Sequence, residues 1–215
     1  MFVYNEMTPH PITITPDRSV FEAQQIMKER NIRHLPVITP KGTLVGLVTR
    51  TSLDTALPAK LTTLSIWELN YQLNQIKVSQ AMERNLVTVP ENMPIEQAAR
   101  LMVEKKVGSL LVVRGDRLVG IITDIDMMRI LEELLGARQP GVRLTLKVPD
   151  TEGQLCKITS AVAELNGYIS ALGTYPSDET LKWWVVLKVR FVDKDELVNL
   201  LKRTPEIEVL DVRES

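Results

Sequence analysis

The stretch Leu44-Val45-Gly46-Leu47-Val48-Thr49 returns later in the chain as Leu118-Val119-Gly120-Ile121-Ile122-Thr123. The match extends upstream at an offset of 75 residues, pairing residues 7–13 with 82–88 and 32–38 with 107–113. The offset is 74 after the intervening turn, where hairpins tolerate a length change. A unit of about 50 residues buries little core alone. The duplication therefore predicts two copies of one structure that pack as a pair.

Each copy is predicted to have the order β–α–β–β–α. Extended residues come first (12–14 or 87–89), followed by a helix with Ser19 as N-cap or Pro94 in its first turn. Two apolar strands follow, joined by turns at 39–42 and 114–117. Thr49 and Thr123 then begin the second helix. Residues 59–77 are interpreted as a packed connector or as an interaction helix.

The last third of the chain has a different pattern. Residues 143–148 alternate apolar and polar side chains, as in a half-buried strand. A helical stripe over 155–165 ends at Asn166-Gly167, and strands are predicted at 168–174 and 181–192. Asp193 begins a second helix, and 208–212 forms the last strand. This βαββαβ order is ferredoxin-like. The predicted fold class is α+β, with domains at 1–58, 78–135 and 141–215 and the connector between the first two.

Composition excludes several function classes. The 26 basic and 27 acidic residues give a net charge of -1, so a basic nucleic-acid-binding surface is not expected. No apolar run reaches membrane-spanning length, and the first residues do not resemble a signal peptide. The single Cys156 suggests a reducing, cytoplasmic setting. With two histidines, we expect no catalytic or metal site and no obligatory cofactor.

The end of the second hairpin carries the clearest chemistry, Gly120-Ile121-Ile122-Thr123-Asp124-Ile125-Asp126. Glycine would let a ligand approach the backbone closely. The Thr123 hydroxyl and the amides at a helix start suit a phosphate, and Asp126 could accept hydrogen bonds from two ribose hydroxyls. The alternative is purely structural, with Thr123 as an N-cap and Asp126 as a first-turn acid.

Two copies carrying Gly-x-x-Thr, the second continuing to Asp126, resemble the paired cystathionine-beta-synthase (CBS) domains of a Bateman module over residues 1–135. The resemblance implies a cleft that binds AMP, ADP, ATP or S-adenosylmethionine as a regulatory ligand. It implies one site made from His10, Ile12, Ile32, Arg33, His34, Ser109, Ile121, Thr123 and Asp126. A second, weaker site would use Val107, Gly108, Thr49 and Ser52, because a single hydroxyl replaces the ribose-binding carboxylate there.

Residues 150–158 and 167–169 resemble the ACT domain, a small-molecule sensor. The resemblance implies an amino-acid site around Asp150, Gly153, Gln154 and Leu155, although Glu152 and Tyr168 depart from the usual motif. The order CBS–CBS–ACT with the connector at 64–71 is similar to the acetoin-utilisation (AcuB-like) group, which implies regulation. The resemblance also implies a homodimer and a regulated protein partner of unknown identity. The composition argues against a nucleic-acid or membrane partner.

These features favour a non-catalytic sensor of an adenosine ligand that rearranges its domains to control a partner. Two alternatives stay open. The chain could be a structural or interaction protein with vestigial ligand sites, or an amino-acid sensor that works through the ACT-like unit. An enzyme is disfavoured, since no nucleophile–base pair or paired acidic motif is visible.

Overall fold

The structure is a computed structural model that describes residues 1–55 and 74–214. It divides the chain into two compact units, residues 1–127 and 128–215. Most of the connector predicted for 59–77, including the stretch at 64–71, lies outside the described residues. No helix in the described ranges is long and apolar enough to cross a membrane.

The first unit contains both copies of the repeat. Its elements in chain order are α1 (Val3–Glu6), β1 (Thr8–Pro9), α2 (Val20–Glu29), β2 (His34–Ile38), β3 (Leu44–Thr49), α3 (Arg50–Thr55), α4 (Val78–Ala81), β4 (Thr88–Pro90), α5 (Ile95–Lys105), β5 (Ser109–Arg114), β6 (Arg117–Thr123) and the start of α6 (Asp124–Leu134). The α+β class of this unit is confirmed. The strand predicted at 12–14 is reduced to one parallel bridge between Ile14 and Val37, whereas its counterpart is the three-residue β4.

Local sequence explains where the helices begin. Ser19 caps α2, accepting a bond from the Glu22 amide at 3.1 Å, while the Glu22 carboxylate accepts from the Ser19 amide at 3.0 Å. This reciprocal pair is a capping box. Pro94 is the N-cap of α5 rather than a first-turn residue, one position earlier than predicted. Each helix turns its small and apolar positions, such as Ala23 and Ala98, toward the core.

The two copies exchange their first residues. Thr8 and Pro9 of the first copy pair with Ile121 and Gly120 of the second, so β1 is an edge strand of the sheet β1-β6-β5-β4. In the reverse direction, Glu83 of the second copy forms an antiparallel bridge with Leu47 of the first. Each copy therefore completes the hairpin of the other, as expected for units that fold as a pair.

The glycines of the repeated motif make room for side chains of the exchanged segments. A Cβ atom on Gly120 would overlap the Met7 sulfur, and one on Gly46 would overlap the Met82 sulfur. Met7 and Met82 occupy equivalent positions, each directly after a short helix. The expectation that Gly120 admits a ligand was wrong, because a methionine from the other copy fills that space.

The second unit has the predicted βαββαβ order. Its elements after α6 are β7 (Val142–Pro149), α7 (Gln154–Glu164), β8 (Tyr168–Pro176), β9 (Lys182–Arg190), α8 (Lys194–Arg203) and β10 (Glu208–Glu214). The antiparallel sheet has the order β10-β7-β9-β8, which is ferredoxin-like. Alternate residues of β7 and β9 pack against α7 and α8. Trp183 joins that core, whereas Trp184 lies on the opposite face and stacks on Tyr175.

The boundary between the two compact units lies inside α6. The end of this helix is fixed within the second unit. Lys188 is only 4% exposed, and its ammonium group donates to the Gly136 carbonyl at 3.0 Å. A cation at a helix C-terminus is favourable, because the last carbonyls carry partial negative charge.

Candidate functional site

A cavity of about 260 Å³ opens beside Asp126 and is called the Asp126 cavity here. Both copies supply its walls. The lining residues are Thr8, Pro11, Ile12, Asn31, Ile32, Arg33, His34, Ile121, Thr123, Ile125 and Asp126. Aliphatic side chains form most of the walls, and polar groups converge from Asp126 and Thr123 and from the segment 31–34. Apolar walls with a few convergent polar groups are typical of small-molecule sites.

Seven of the nine residues predicted for the first site line this cavity: Ile12, Ile32, Arg33, His34, Ile121, Thr123 and Asp126. His10 does not line it; its side chain is exposed, and its backbone amide bonds to Val119. Ser109 lines a different cavity, which is described below. It holds in the second copy the position that His34 holds in the first, so the repeat places it at the equivalent site. The sequence reasoning missed four lining residues, three of which adjoin predicted ones: Thr8, Pro11, Asn31 and Ile125.

The start of α6 is closed by its own hydrogen bonds. Both the amide and the hydroxyl of Thr123 donate to Asp126 Oδ2 at 2.8 Å. The Asp124 amide donates to the Gly108 carbonyl, the Ile125 amide to the Asp124 carboxylate, and the Asp126 amide to the Thr123 hydroxyl. The phosphate cradle predicted at this helix start was therefore wrong, since all four amides already have acceptors.

The first copy builds the same cap with a serine. The Thr49 amide donates to Ser52 Oγ at 2.9 Å, and the Ser52 amide donates to Thr49 Oγ1 at 3.0 Å. Capping the helix therefore needs only one side-chain oxygen at this position. Asp126 provides the same cap through a carboxylate, which brings a negative charge to the wall of the cavity.

A larger cavity of about 550 Å³, called the Thr49 cavity here, is related to the first by the repeat. Its lining residues are Arg33, His34, Leu47, Thr49, Arg50, Thr51, Glu83, Asn85, Leu86, Val87, Lys106, Val107, Gly108, Ser109, Leu111 and Asp124. Of the residues predicted for a second site, Thr49, Val107 and Gly108 line it. Ser52 does not, because its side chain is held in the helix cap. Glu83, whose carboxylate accepts from the Thr49 hydroxyl, was not predicted.

Arg33 and His34 line both cavities. Arg33 Nη2 lies 3.2 Å from Asp124 Oδ1, which joins the first copy to the start of α6. Both side chains are about half exposed, so this pair adds little stability and can exchange partners. A Cβ on Gly108 would lie 3.4 Å from His34 Nε2, which shows that the imidazole packs directly over that glycine.

Burial lowers the pKa of His34 below its usual value near 6.5. The Asp124 and Glu83 carboxylates oppose this shift, and the Arg33 guanidinium adds to it. The imidazole is therefore neutral at pH 7. It offers one N–H donor and one ring acceptor to a ligand in either cavity.

The His34 shift predicts a pH dependence of stability. As pH falls below about 6.5, the unfolded chain takes up a proton at His34 before the folded chain does, so the free energy of unfolding decreases with acid. We expect the melting temperature of the wild-type protein to fall more between pH 7.5 and 5.5 than that of His34→Gln. Thermal unfolding at both pH values measures the difference. Equal falls in the two proteins would contradict the assignment of a neutral, buried imidazole.

The second unit has its own cavity, of about 330 Å³, called the Gln154 cavity here. All four residues predicted for the ACT-like loop line it: Asp150, Gly153, Gln154 and Leu155. The Gln154 side chain is 5% exposed, and its Nε2 donates to Thr151 and Glu206. Among the described residues, its Oε1 has no hydrogen-bond partner, although it is buried. A buried, unpaired carbonyl oxygen is costly, so a water or a bound molecule would stabilise this atom by donating a hydrogen bond to it.

Comparison with known proteins settles the family of the first unit. The CBS domain model matches residues 3–59 and 78–133, together more than half of the chain. The chain belongs to the CBS-domain family. Among the described residues, no group of three or more His, Cys, Asp or Glu side chains could hold a metal ion.

Solved CBS-domain structures resemble the chain over the paired copies. A putative acetoin utilization protein (AcuB) from Vibrio cholerae is 28% identical with a TM-score of 0.54, covering 65% of this chain and 96% of that one. The CBS domain pair of protein MJ0100, in complex with 5′-methylthioadenosine and S-adenosyl-L-methionine, is 27% identical with a TM-score of 0.52, covering 65% and 98%. CBSX2 in complex with AMP is 28% identical with a TM-score of 0.51, covering 64% and 98%.

Curated relatives include enzymes that contain a matching segment. A homoserine O-acetyltransferase of Methanohalobium evestigatum is 32% identical over 135 residues, which are 61% of this chain and 24% of that enzyme. An inosine-5′-monophosphate dehydrogenase of Rhodopirellula baltica is 32% identical over 133 residues, covering 58% and 21%. The chain thus spans about a quarter or less of these relatives.

Proposed function

We propose that this protein is a non-catalytic sensor that binds an adenosine ligand in the Asp126 cavity. One observation carries the proposal: residues from both CBS copies converge there around an apolar slot that ends in a carboxylate. Ile12 and Ile32 come from the first copy, Ile121 and Asp126 from the second. The apolar walls match the flat base of an adenosine, and the carboxylate matches its polar sugar.

Each part of the ligand has a complementary group. Aliphatic side chains such as Ile12 and Ile121 can contact the two faces of a purine. Asp126 faces the cavity with a carboxylate, the side chain best able to accept bonds from two adjacent hydroxyls. Arg33 and Asn31 lie on the segment 31–34, where a charged 5′ substituent would meet a guanidinium. The relatives crystallised with AMP and with S-adenosyl-L-methionine support this class of ligand.

Regulation requires that the ligand prefer one of two arrangements of the protein. We propose that binding shifts such an equilibrium in a homodimer and so controls a partner protein, as the likeness to the acetoin utilization protein suggests. Arg33 is the candidate for that preference, because a bound anion would compete with Asp124 for its guanidinium.

A panel of ligands tests the proposal on the full chain. We expect adenosine, AMP, ADP, ATP or S-adenosylmethionine to raise the melting temperature in a saturable way, and isothermal titration to give one binding event per Asp126 cavity. GMP and CMP serve as matched controls for the base. If no adenosine compound binds at millimolar concentration, the sites are vestigial and the protein has a structural role.

A second candidate function rests on the Gln154 cavity. Here an ACT-like unit would bind an amino acid, and its ammonium group would supply the donor that Gln154 Oε1 lacks. The same panel includes the common amino acids. Binding of one of them that survives substitution of Asp126 and is lost in Gln154→Leu would establish this second site.

A further inference from the structure

A basic groove runs along α2 and the start of α3 and shares part of its lining with the Asp126 cavity. Its volume is about 480 Å³, and it is called the Lys28 groove here. The lining residues are Gln24, Met27, Lys28, Asn31, Ile32, Arg33, Arg50 and Leu53. Three cations face it, together with the amides of Gln24 and Asn31. No carboxylate among the described side chains lines it.

The groove and the Asp126 cavity share Asn31, Ile32 and Arg33. A ligand seated in the cavity therefore lies against residues that also line the groove. Arg33 stands at the junction, while Lys28 and Arg50 lie beyond it. Within the described part of the chain, neither Lys28 nor Arg50 has a carboxylate partner, so both charges are available to an anion.

We propose that the Lys28 groove receives the phosphate chain of an adenosine di- or triphosphate. This inference rests on the proposed function, because the sugar is taken to be held at Asp126. A monophosphate reaches Arg33 and goes no further, whereas each added phosphate brings negative charge toward Lys28 and Arg50. The sulfonium cation of S-adenosylmethionine has no complementary charge here. The groove thus sets a preference for ADP and ATP over AMP and S-adenosylmethionine.

The Arg33–Asp124 ion pair competes with the phosphates of a ligand. An incoming phosphate must draw Arg33 away from Asp124, which lies 3.2 Å from it. Removing the Asp124 charge should therefore strengthen the binding of every phosphorylated ligand. Asn at this position can still accept the bond that Asp124 Oδ1 takes from the Ile125 amide, so the helix start is kept.

Isothermal titration of the full chain in magnesium-free buffer at about 0.15 M salt tests the groove. We expect the wild type to bind ATP about tenfold more tightly than AMP, and higher salt to reduce the difference. Lys28→Gln and Arg50→Gln should each weaken ATP binding by roughly threefold to tenfold and leave adenosine binding unchanged. Lys41→Gln, which removes the same charge from the exposed 39–42 turn, is the matched control.

Asp124→Asn provides an independent test in the opposite direction. We expect it to tighten AMP and ATP binding by about threefold and to leave adenosine binding as in the wild type. Lys28 lines this groove and not the Thr49 cavity, so its effect identifies which of the two holds the phosphates. Equal affinities for AMP and ATP, unaffected by Lys28→Gln, would contradict the proposal that the groove binds phosphates. They would not contradict the adenosine site at Asp126. Failure of adenosine and all its phosphates to bind would overturn both.

Discussion

The Asp126→Ser variant is expected to bind adenosine ligands on the order of 100-fold more weakly than the wild type. The substitution removes a carboxylate that accepts two hydrogen bonds from the ribose, and bonds to a charged group contribute about 1.5–3 kcal/mol each. A wild-type protein at a hundredfold excess of ligand over Kd gains roughly 2.7 kcal/mol of stability, whereas the variant would gain about 0.4 kcal/mol. Thermal shift and titration calorimetry measure both quantities.

Serine is chosen because the protein already uses it at the equivalent position. Ser52 caps its helix through Thr49, so a serine at 126 can keep the bond from the Thr123 amide. The ligand-free variant should therefore melt close to the wild type. Asp126→Ala, by contrast, would also lose the cap, at a cost of about 1 kcal/mol. Asp116→Ser, in the exposed hairpin turn, controls for the change of charge. A ligand response equal to that of the wild type would show that the carboxylate does not hold the ligand.

Gly120→Ala is expected to destabilise the protein by about 1 kcal/mol, the low end of the cost of overpacking, because the atoms that must move belong to the flexible Met7 side chain. The added methyl would overlap the Met7 side chain, which packs across from the other copy. Urea unfolding measures the loss. Gly173→Ala is the matched control, since a methyl there would meet Leu135 at an ordinary contact distance of 3.5 Å.

Shortening the opposing side chain identifies the cause. In the double variant Met7→Ala/Gly120→Ala, the added methyl has room, so the combined loss should be smaller than the sum of the two single losses by about 0.5–1 kcal/mol. Strict additivity would mean that Met7 is not the group that excludes a side chain from position 120.

The repeat and the ferredoxin-like order could be predicted because local signals agreed with each other. Ser19 with Glu22 predicts a capped helix, and the alternation over 143–148 predicts the strand that became Val142–Pro149. These features depend on neighbours in sequence. The role of Gly120 depends instead on a neighbour in space, Met7. The sequence alone does not distinguish a glycine that makes room for a side chain from one that makes room for a ligand.

The candidate site was predicted in part for the same reason. Residues at equivalent positions of the two copies indicated that one cavity is built from both, and seven of nine lie there. Ser109 aligns with His34, so it belongs beside the other cavity. Hydrogen bonding at the start of α6 could not be anticipated, because Asp126 suits a cap and a sugar equally well.

The exchange of first residues between the copies also constrains how the chain is made. Thr8 finds its partner Ile121 only after about 110 further residues have been synthesised. Contacts this distant in sequence are slow to form, because closing the loop costs entropy before any contact repays it. The N-terminal segment must therefore wait, unpaired, on the ribosome until the second copy emerges. A chain interrupted between the copies would keep an open hairpin edge and be a substrate for chaperones and proteases.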